Sequence, residues 1–188
     1  MPRTITNVIG FDDAPFERDH RGDVLLVGTV CSRTRLDGVV TGCVRRDGIN
    51  STGRMVDLVR RSQFAGTLRA VLLQGIAVAG FNVVDVHGLS EALGLPVLVV
   101  ARRRPDLPAM RQYLDARVPG AVRKWRLIER AGPMEPLRRL WVQRIGLGVD
   151  AAERLLEATT LHGNLPEALR LAHLIAGGVT TGTSRGRA

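Results

Sequence analysis

The chain has 188 residues, 45% of them hydrophobic, and carries a formal charge of +9. That length suits one α/β domain able to bury its own core, and the charge points to polyanionic partners or an acidic docking surface. No run of about 18 apolar residues exists, which argues against a membrane-spanning helix.

No hydrophobic segment separates Met1-Pro2-Arg3-Thr4 from Asp12 and Asp13, so no signal peptide is expected and the cytoplasm is the expected location. There, Cys31 and Cys43 read as buried free thiols within apolar strands, a disulfide being the lesser alternative. No Cys or His spacing suits a structural zinc. Of the 27 basic residues only Lys124 is lysine, a bias that base composition can produce as readily as selection for guanidinium groups.

In chain order, Thr6 to Phe11 reads as a short, nearly all-apolar central strand. Asp23 to Ser32 and Gly38 to Arg45 are β-rich runs, and Asp37-Gly38 between them signals a hairpin, so these strands pair antiparallel. Ser51 or Thr52 can cap a helix to about Gln63, with Met55, Leu58 and Val59 on its apolar stripe. Ala70 to Leu73 is a fourth strand, and Asn82 can cap a helix to Leu93. Leu95 to Ala101 is a fifth, apolar throughout and therefore buried on both faces. Pro105 and Pro108 open a helix to Arg117. Val122 to Ile128 reads as an edge strand with basic residues on one face, and Val142 to Gly146 as a short apolar run. Asp150 to Ala158 and Pro166 to Gly177 are amphipathic helices, the second with Leu169, Ala172 and His173 at helical spacing. A single domain is expected over residues 1–179, with a polar, extended or mobile tail over 180–188.

This order predicts an α/β domain whose mixed five-stranded sheet runs 3-2-1-4-5 between helices, a ribonuclease H-like arrangement. A flavodoxin-like or Rossmann sheet competes, weakened because no G-x-G-x-x-G follows strand one and the first half is antiparallel. In the favoured order strands one and four are neighbours, and their ends carry Asp12, Asp13 and Gln74. Ligands bind at such strand ends. A buried amide needs several partners, which makes Gln74 a candidate binding group rather than packing. Asn82 and Asp85 suit either a site or the capping of a helix. Arg102 and Arg103, with Arg104, follow strand five and could grip phosphates or line a solvated loop. His173 reads first as a core or rim residue; Trp125 and Trp141 read as packing residues that could also stack on a base.

The chain also resembles a known family. Gly10-Phe11-Asp12-Asp13-Ala14-Pro15-Phe16, Asp47-Gly48, Gln74-Gly75 with Gly80-Phe81-Asn82-Val83-Val84-Asp85, and Pro96-Val97 with Arg102-Arg103-Arg104-Pro105 occur in order. Pro166 to His173 and Ser184 to Ala188 complete the set. This pattern is similar to the mainly archaeal endonuclease dU family, distant relatives of endonuclease V, over nearly the whole chain. The resemblance implies a ribonuclease H-like fold and metal-dependent cleavage of deaminated nucleic acid. Asp12 falls on the strand-one aspartate that binds metal in endonuclease V, and Gln74 on a second metal-binding aspartate. The lysine after strand five corresponds to Arg102 or Arg103. The late histidine of endonuclease V falls near Gly146 or Gly148, so that histidine is expected to be absent. Where the family pattern is D-G-x-D-x-T, this chain has Asp47-Gly48-Ile49-Asn50-Ser51-Thr52.

The resulting expectation is a Mg²⁺ (or Mn²⁺) site held by Asp12 and Asp47, with Gln74 as a neutral oxygen donor, acting on a phosphodiester. Asp13, Asn50, Thr52, Asn82, Asp85, Arg102 and Arg103 would bind substrate around it. Asp12 and Asp13 point to opposite faces unless the strand ends there. Two other readings stand beside the nuclease: a non-hydrolytic module binding nucleic acid or a modified nucleotide, and an enzyme acting on a small phosphorylated metabolite.

Overall fold

The computed structural model describes residues 5–184. Its elements are β1 (Asn7–Asp13), β2 (Asp23–Ser32), β3 (Arg35–Arg45), α1 (Ser51–Arg61), β4 (Ala70–Gln74), β5 (Ala77–Val78) and β6 (Asn82–Val83). They continue as α2 (Val86–Leu93), β7 (Val97–Ala101), α3 (Leu107–Arg117), α4 (Ala121–Ala131), β8 (Glu135–Leu137), β9 (Leu140–Ile145), α5 (Val149–Thr159) and α6 (Glu167–Thr181). Seven strands form one sheet in the order β3-β2-β1-β4-β7-β9-β8, and β5 pairs with β6 apart from it. The expected five-strand order is present, with β7 as its fifth member; β9 and β8 extend it beyond that edge. No helix among the described residues is long and apolar enough to cross a membrane.

The central strands β1, β4 and β7 run parallel. Because side chains alternate across a sheet, Val71 and Leu73 of β4 join one apolar cluster while Ala70 and Leu72 join the other. Strand β7 divides the same way, Val97 and Val99 against Leu98 and Val100. A sheet covered on both faces needs continuous apolar strands rather than alternating ones. On one face lie α1, α2 and α4; Leu155, Leu156, Ala168 and Leu169 of α5 and α6 pack on the other.

Local expectations were corrected at five places. The β2–β3 turn is Arg33-Thr34, with Arg33 at φ 57°, whereas Asp37-Gly38 lies inside β3 at a register shift. A Cβ on Gly38 would lie 2.2 Å from the Phe64 ring, so this glycine marks a bulge and a close approach. Asn82 is a buried β6 residue, and Asp85 instead caps α2 by accepting from Gly88 N–H at 2.9 Å. Residues 122–128 are helical: Ala121, Lys124, Trp125 and Ile128 repeat at three- and four-residue spacing, and Lys124 and Ile128 are buried. Cys31 is buried, its thiol pushed up to about 11 chiefly by desolvation, but Cys43 is exposed on edge strand β3. Finally, α6 continues through Thr181 into the expected tail; Arg185 to Ala188 lie outside the described residues.

Candidate functional site

Strand β1 carries Val8, Gly10 and Asp12 on one face by its period of two. Helix α6 crosses that face closely, since a Cβ on Gly10 would meet Ala168 C at 2.7 Å. The hydroxyl of Thr29, whose residue pairs with Gly10 across the sheet, donates to Ala168 O at the same crossing. About one turn further along α6, His173 Nδ1 lies 2.9 Å from Asp12 Oδ2. The small residue at Gly10 thus sets the helix height that brings His173 to Asp12.

At this end of the sheet a cavity of about 680 Å³ is lined by Asp12, Asp13, Gln74 and His173, with Pro15 and Phe16 on its rim. Strand β1 ends at Asp13, which releases the usual alternation and lets neighbouring carboxylates face one space. Asp12 Oδ1 accepts from Asp13 N–H at 3.0 Å. Burial raises the Asp12 carboxyl above its ordinary value, and the contact with His173 opposes this only in part. Asp13 is pushed up to about 7, by desolvation first and by the Asp12 charge second; the Ala79 N–H bond works against the shift. Gln74 Oε1 is buried without a hydrogen-bond partner among the described residues. Two desolvated carboxyls and, among the described residues, one orphan amide oxygen are groups that a cation would satisfy.

The structure separates other expected residues from this cavity. Asp47 Oδ1 accepts from Phe81 N–H at 2.8 Å and Oδ2 is 3.3 Å from Arg46 Nε. Its backbone N–H donates to Ala79 O at 2.9 Å, and buried Lys124 donates to its carbonyl. Asp47 does not line the Asp12 cavity; it braces the loop after Gln74, whose Ala79 N–H reaches Asp13. Asp12 and Asp47 are thus not brought together at this cavity; the second carboxylate that lines it is Asp13.

Asn50, Thr52, Asn82 and Asp85 form a bracing network of their own. Asn82 Oδ1 accepts from Ser51 N–H at 3.1 Å, satisfying an orphan donor at the start of α1. Asn82 Nδ2 donates to Arg45 O and Asn50 Oδ1, each at 2.8 Å, and Thr52 Oγ1 accepts from Asp85 N–H at 2.9 Å. These groups tie α1 to β6 and α2, and none lines the cavity. Arg102 and Arg103 follow the end of β7. Because Gln74 is registered with Val100, both leave the sheet at the cavity's edge, although neither lines it. Trp141 lies under the Arg104 guanidinium at 5.5 Å and Trp125 beside that of Arg111 at 5.1 Å.

His173 is the residue at this cavity that sequence reasoning undervalued. The one signal was a polar ring within the apolar stripe of a helix, which packing explains equally well.

The sequence profile of the endonuclease dU family matches residues 4–180. A UPF0215 protein of Deinococcus radiodurans is 55% identical over 183 residues, covering 97% of this chain and 93% of the relative. Its counterpart in Methanothermobacter thermautotrophicus is 44% identical over 185 residues, covering 96% and 91%. The relatives thus include a bacterial protein beside archaeal ones. A protein of unknown function from Archaeoglobus fulgidus superposes at a TM-score of 0.87 with 28% identity, covering 94% of this chain and 99% of that one. Endonuclease V of Ciona intestinalis, in complex with a 24mer DNA containing an inosine followed by a ribo-adenosine, superposes at 0.58 with 13% identity, covering 89% and 83%. The likeness to endonuclease V is one of fold, and that fold is ribonuclease H-like.

Proposed function

As a member of the endonuclease dU family, this chain is, we propose, a metal-dependent endonuclease that cleaves nucleic acid containing deaminated bases. The observation that carries this reading is the convergence of Asp12, Asp13, His173 and Gln74, whose Oε1 has no partner among the described residues, on one cavity at the parallel strand ends. Asp12, Asp13 and Gln74 offer hard oxygen donors of the kind Mg²⁺ or Mn²⁺ takes. A cation there relieves both the raised carboxyls and the orphan oxygen. When bound, such an ion polarises the scissile phosphate and lowers the pKa of attached water. His173 orients Asp12; an ionised Asp12 only accepts, so Nδ1 then carries the proton. Arg102 and Arg103 are suited to hold phosphates at the same edge, and the +9 charge favours a polyanion.

A second reading has one observation in its favour. Among the described residues no cluster of three or more Asp, Glu, His or Cys side chains is arranged to hold an ion. The cavity would then bind nucleic acid or a modified nucleotide without cutting it. Incubating the protein with uracil- and inosine-containing oligonucleotides in Mg²⁺, Mn²⁺ or EDTA separates the two. Cleavage of modified strands in metal but not in EDTA is the expected result; binding without cleavage under every condition supports the second reading.

A further inference from the structure

Strand β9 runs antiparallel to β7, with Trp141 registered against Ala101, the last residue of β7. The β8–β9 turn, Arg138-Arg139 between the paired Leu137 and Leu140, therefore leaves the sheet at the edge that carries Asp12 and Gln74. Strand β9 lies two strands from β4, which puts the turn roughly 10 Å across the sheet from Gln74 at the usual strand spacing. Arg138 has φ 56°, a conformation that two-residue hairpin turns normally give to Gly, Asn or Asp. An arginine is strained there where a glycine is relaxed. Both arginines are exposed, and among the described residues neither guanidinium has an ion pair or hydrogen bond. They line a cavity of about 620 Å³ together with Thr160, Leu161 and Asn164, from the end of α5 and the loop after it. Glu157 is on the same wall and pairs with neither arginine among the described residues.

Two forked cations, a hydroxyl and an amide suit phosphate oxygens. Leu161, 56% exposed beside them, suits the apolar edge of a sugar and offers nothing to a bare inorganic anion. We propose that this turn and cavity hold the sugar–phosphate backbone of the nucleic acid to one side of the Asp12 cavity, Arg138 and Arg139 each contacting a phosphate. The inference rests on the nucleic-acid reading of the Asp12 site but not on hydrolysis there. Strain alone does not single out Arg138, because Arg33 has φ 57° in the β2–β3 turn. That turn follows Ser32, which is paired with Asn7 at the start of β1, and so lies at the opposite edge of the sheet. The two turns are a matched pair, alike in charge and backbone and different in place.

The test is the salt dependence of strand binding in EDTA, where cleavage plays no part. One single-stranded oligonucleotide is titrated against wild type, Arg138→Gly, Arg138→Gly with Arg139→Ala, and Arg33→Gly. Glycine suits the positive φ of both turns, and circular dichroism checks each fold. The slope of log K against log salt should shrink by about 0.7 in the single Arg138 variant and about 1.4 in the double one, about 0.7 for each single-strand phosphate released. Arg33→Gly should keep the wild-type slope. An unchanged slope in the double variant overturns the proposal. So does an equal loss in Arg33→Gly, which would make the slope a matter of net charge alone. Inorganic pyrophosphate that binds wild type but not the double variant, with the strand slope unchanged, would assign the cavity to a free anion instead. If the slopes fall as expected but no metal supports cleavage, the backbone grip stands and the hydrolytic reading falls. If strands are cut while the slopes stay equal, the reverse follows.

Discussion

At the scale of single residues, the site is defined by carboxyls that the fold keeps from charging easily. Asp13 goes from an ordinary value of 3.8 to about 7 in the folded chain, and Asp12 moves the same way. Between those values the folded state holds a proton that the unfolded state has released. Stability in the absence of metal therefore falls as pH rises from about 4 to about 7. Thermal melting in EDTA should give a lower Tm at pH 8 than at pH 5.5, and Mg²⁺ or Mn²⁺ should narrow the gap by binding the folded state. An Asp13→Asn protein should lose most of this slope; a Tm that rises toward pH 8 in EDTA would count against the assigned environment. Asn50→Asp is expected to be silent in cleavage assays. Asn50 Oδ1 only accepts, from Arg45 N–H and Asn82 Nδ2, and a carboxylate keeps both bonds without entering the cavity. A gain in metal-dependent rate in that variant would return Asn50 to the site.

At the scale of elements, the site depends on how closely α6 crosses β1. Gly10→Ala places a methyl 2.7 Å from Ala168 C, so the helix must lift. The expected cost is about 1–3 kcal/mol, read as a drop in Tm of about 2–4 °C for each kcal/mol in a domain of this size. Cleavage should fall further than the stability loss explains, because His173 moves with the helix; an unchanged rate would show that its place over Asp12 is dispensable. Asn82→Ala tests the bracing network instead. It strands Ser51 N–H, at about 1–3 kcal/mol for a buried group left unsatisfied, while Arg45 O keeps its bond from Gly48 N–H, and should lower Tm while leaving strand affinity intact. The sequence made some of this legible. Apolar β1, β4 and β7 with polar residues at their ends announced a sheet edge with Asp12 and Gln74 together, because strand order follows from which strands are continuous and which form a hairpin. His173 was hidden by distance, 161 residues from Asp12, on a helix whose periodicity reads as packing. Asn82 and Asp47 serve backbone donors, a role that polar residues at strand ends take as readily as ligand binding. Helix α4 also reads as a strand, because Val122, Trp125, Leu127 and Ile128 are strand formers and length alone does not decide.

At the scale of the whole molecule, a +9 chain presents its strand ends, the Asp12 cavity and the Arg102-Arg103 turn along one edge of the sheet. Affinity for a strand should therefore fall steeply with salt, log K declining linearly with log salt as neutralised phosphates release counterions. Replacing Arg103 by Ala should reduce that slope, since a lost phosphate contact releases fewer counterions. Salt-independent binding would instead favour a small uncharged ligand. The central claim, that Asp12 and its neighbours form a hydrolytic metal site, is tested most directly by comparing wild type with Asp12→Asn on an inosine-containing strand in Mn²⁺. Metal-dependent cleavage by wild type, lost in a variant that keeps its fold and binds the strand at least as tightly in EDTA, is the predicted result. No cleavage by wild type, together with an Asp12→Asn protein that merely melts earlier, would make Asp12 a structural acid and contradict the account.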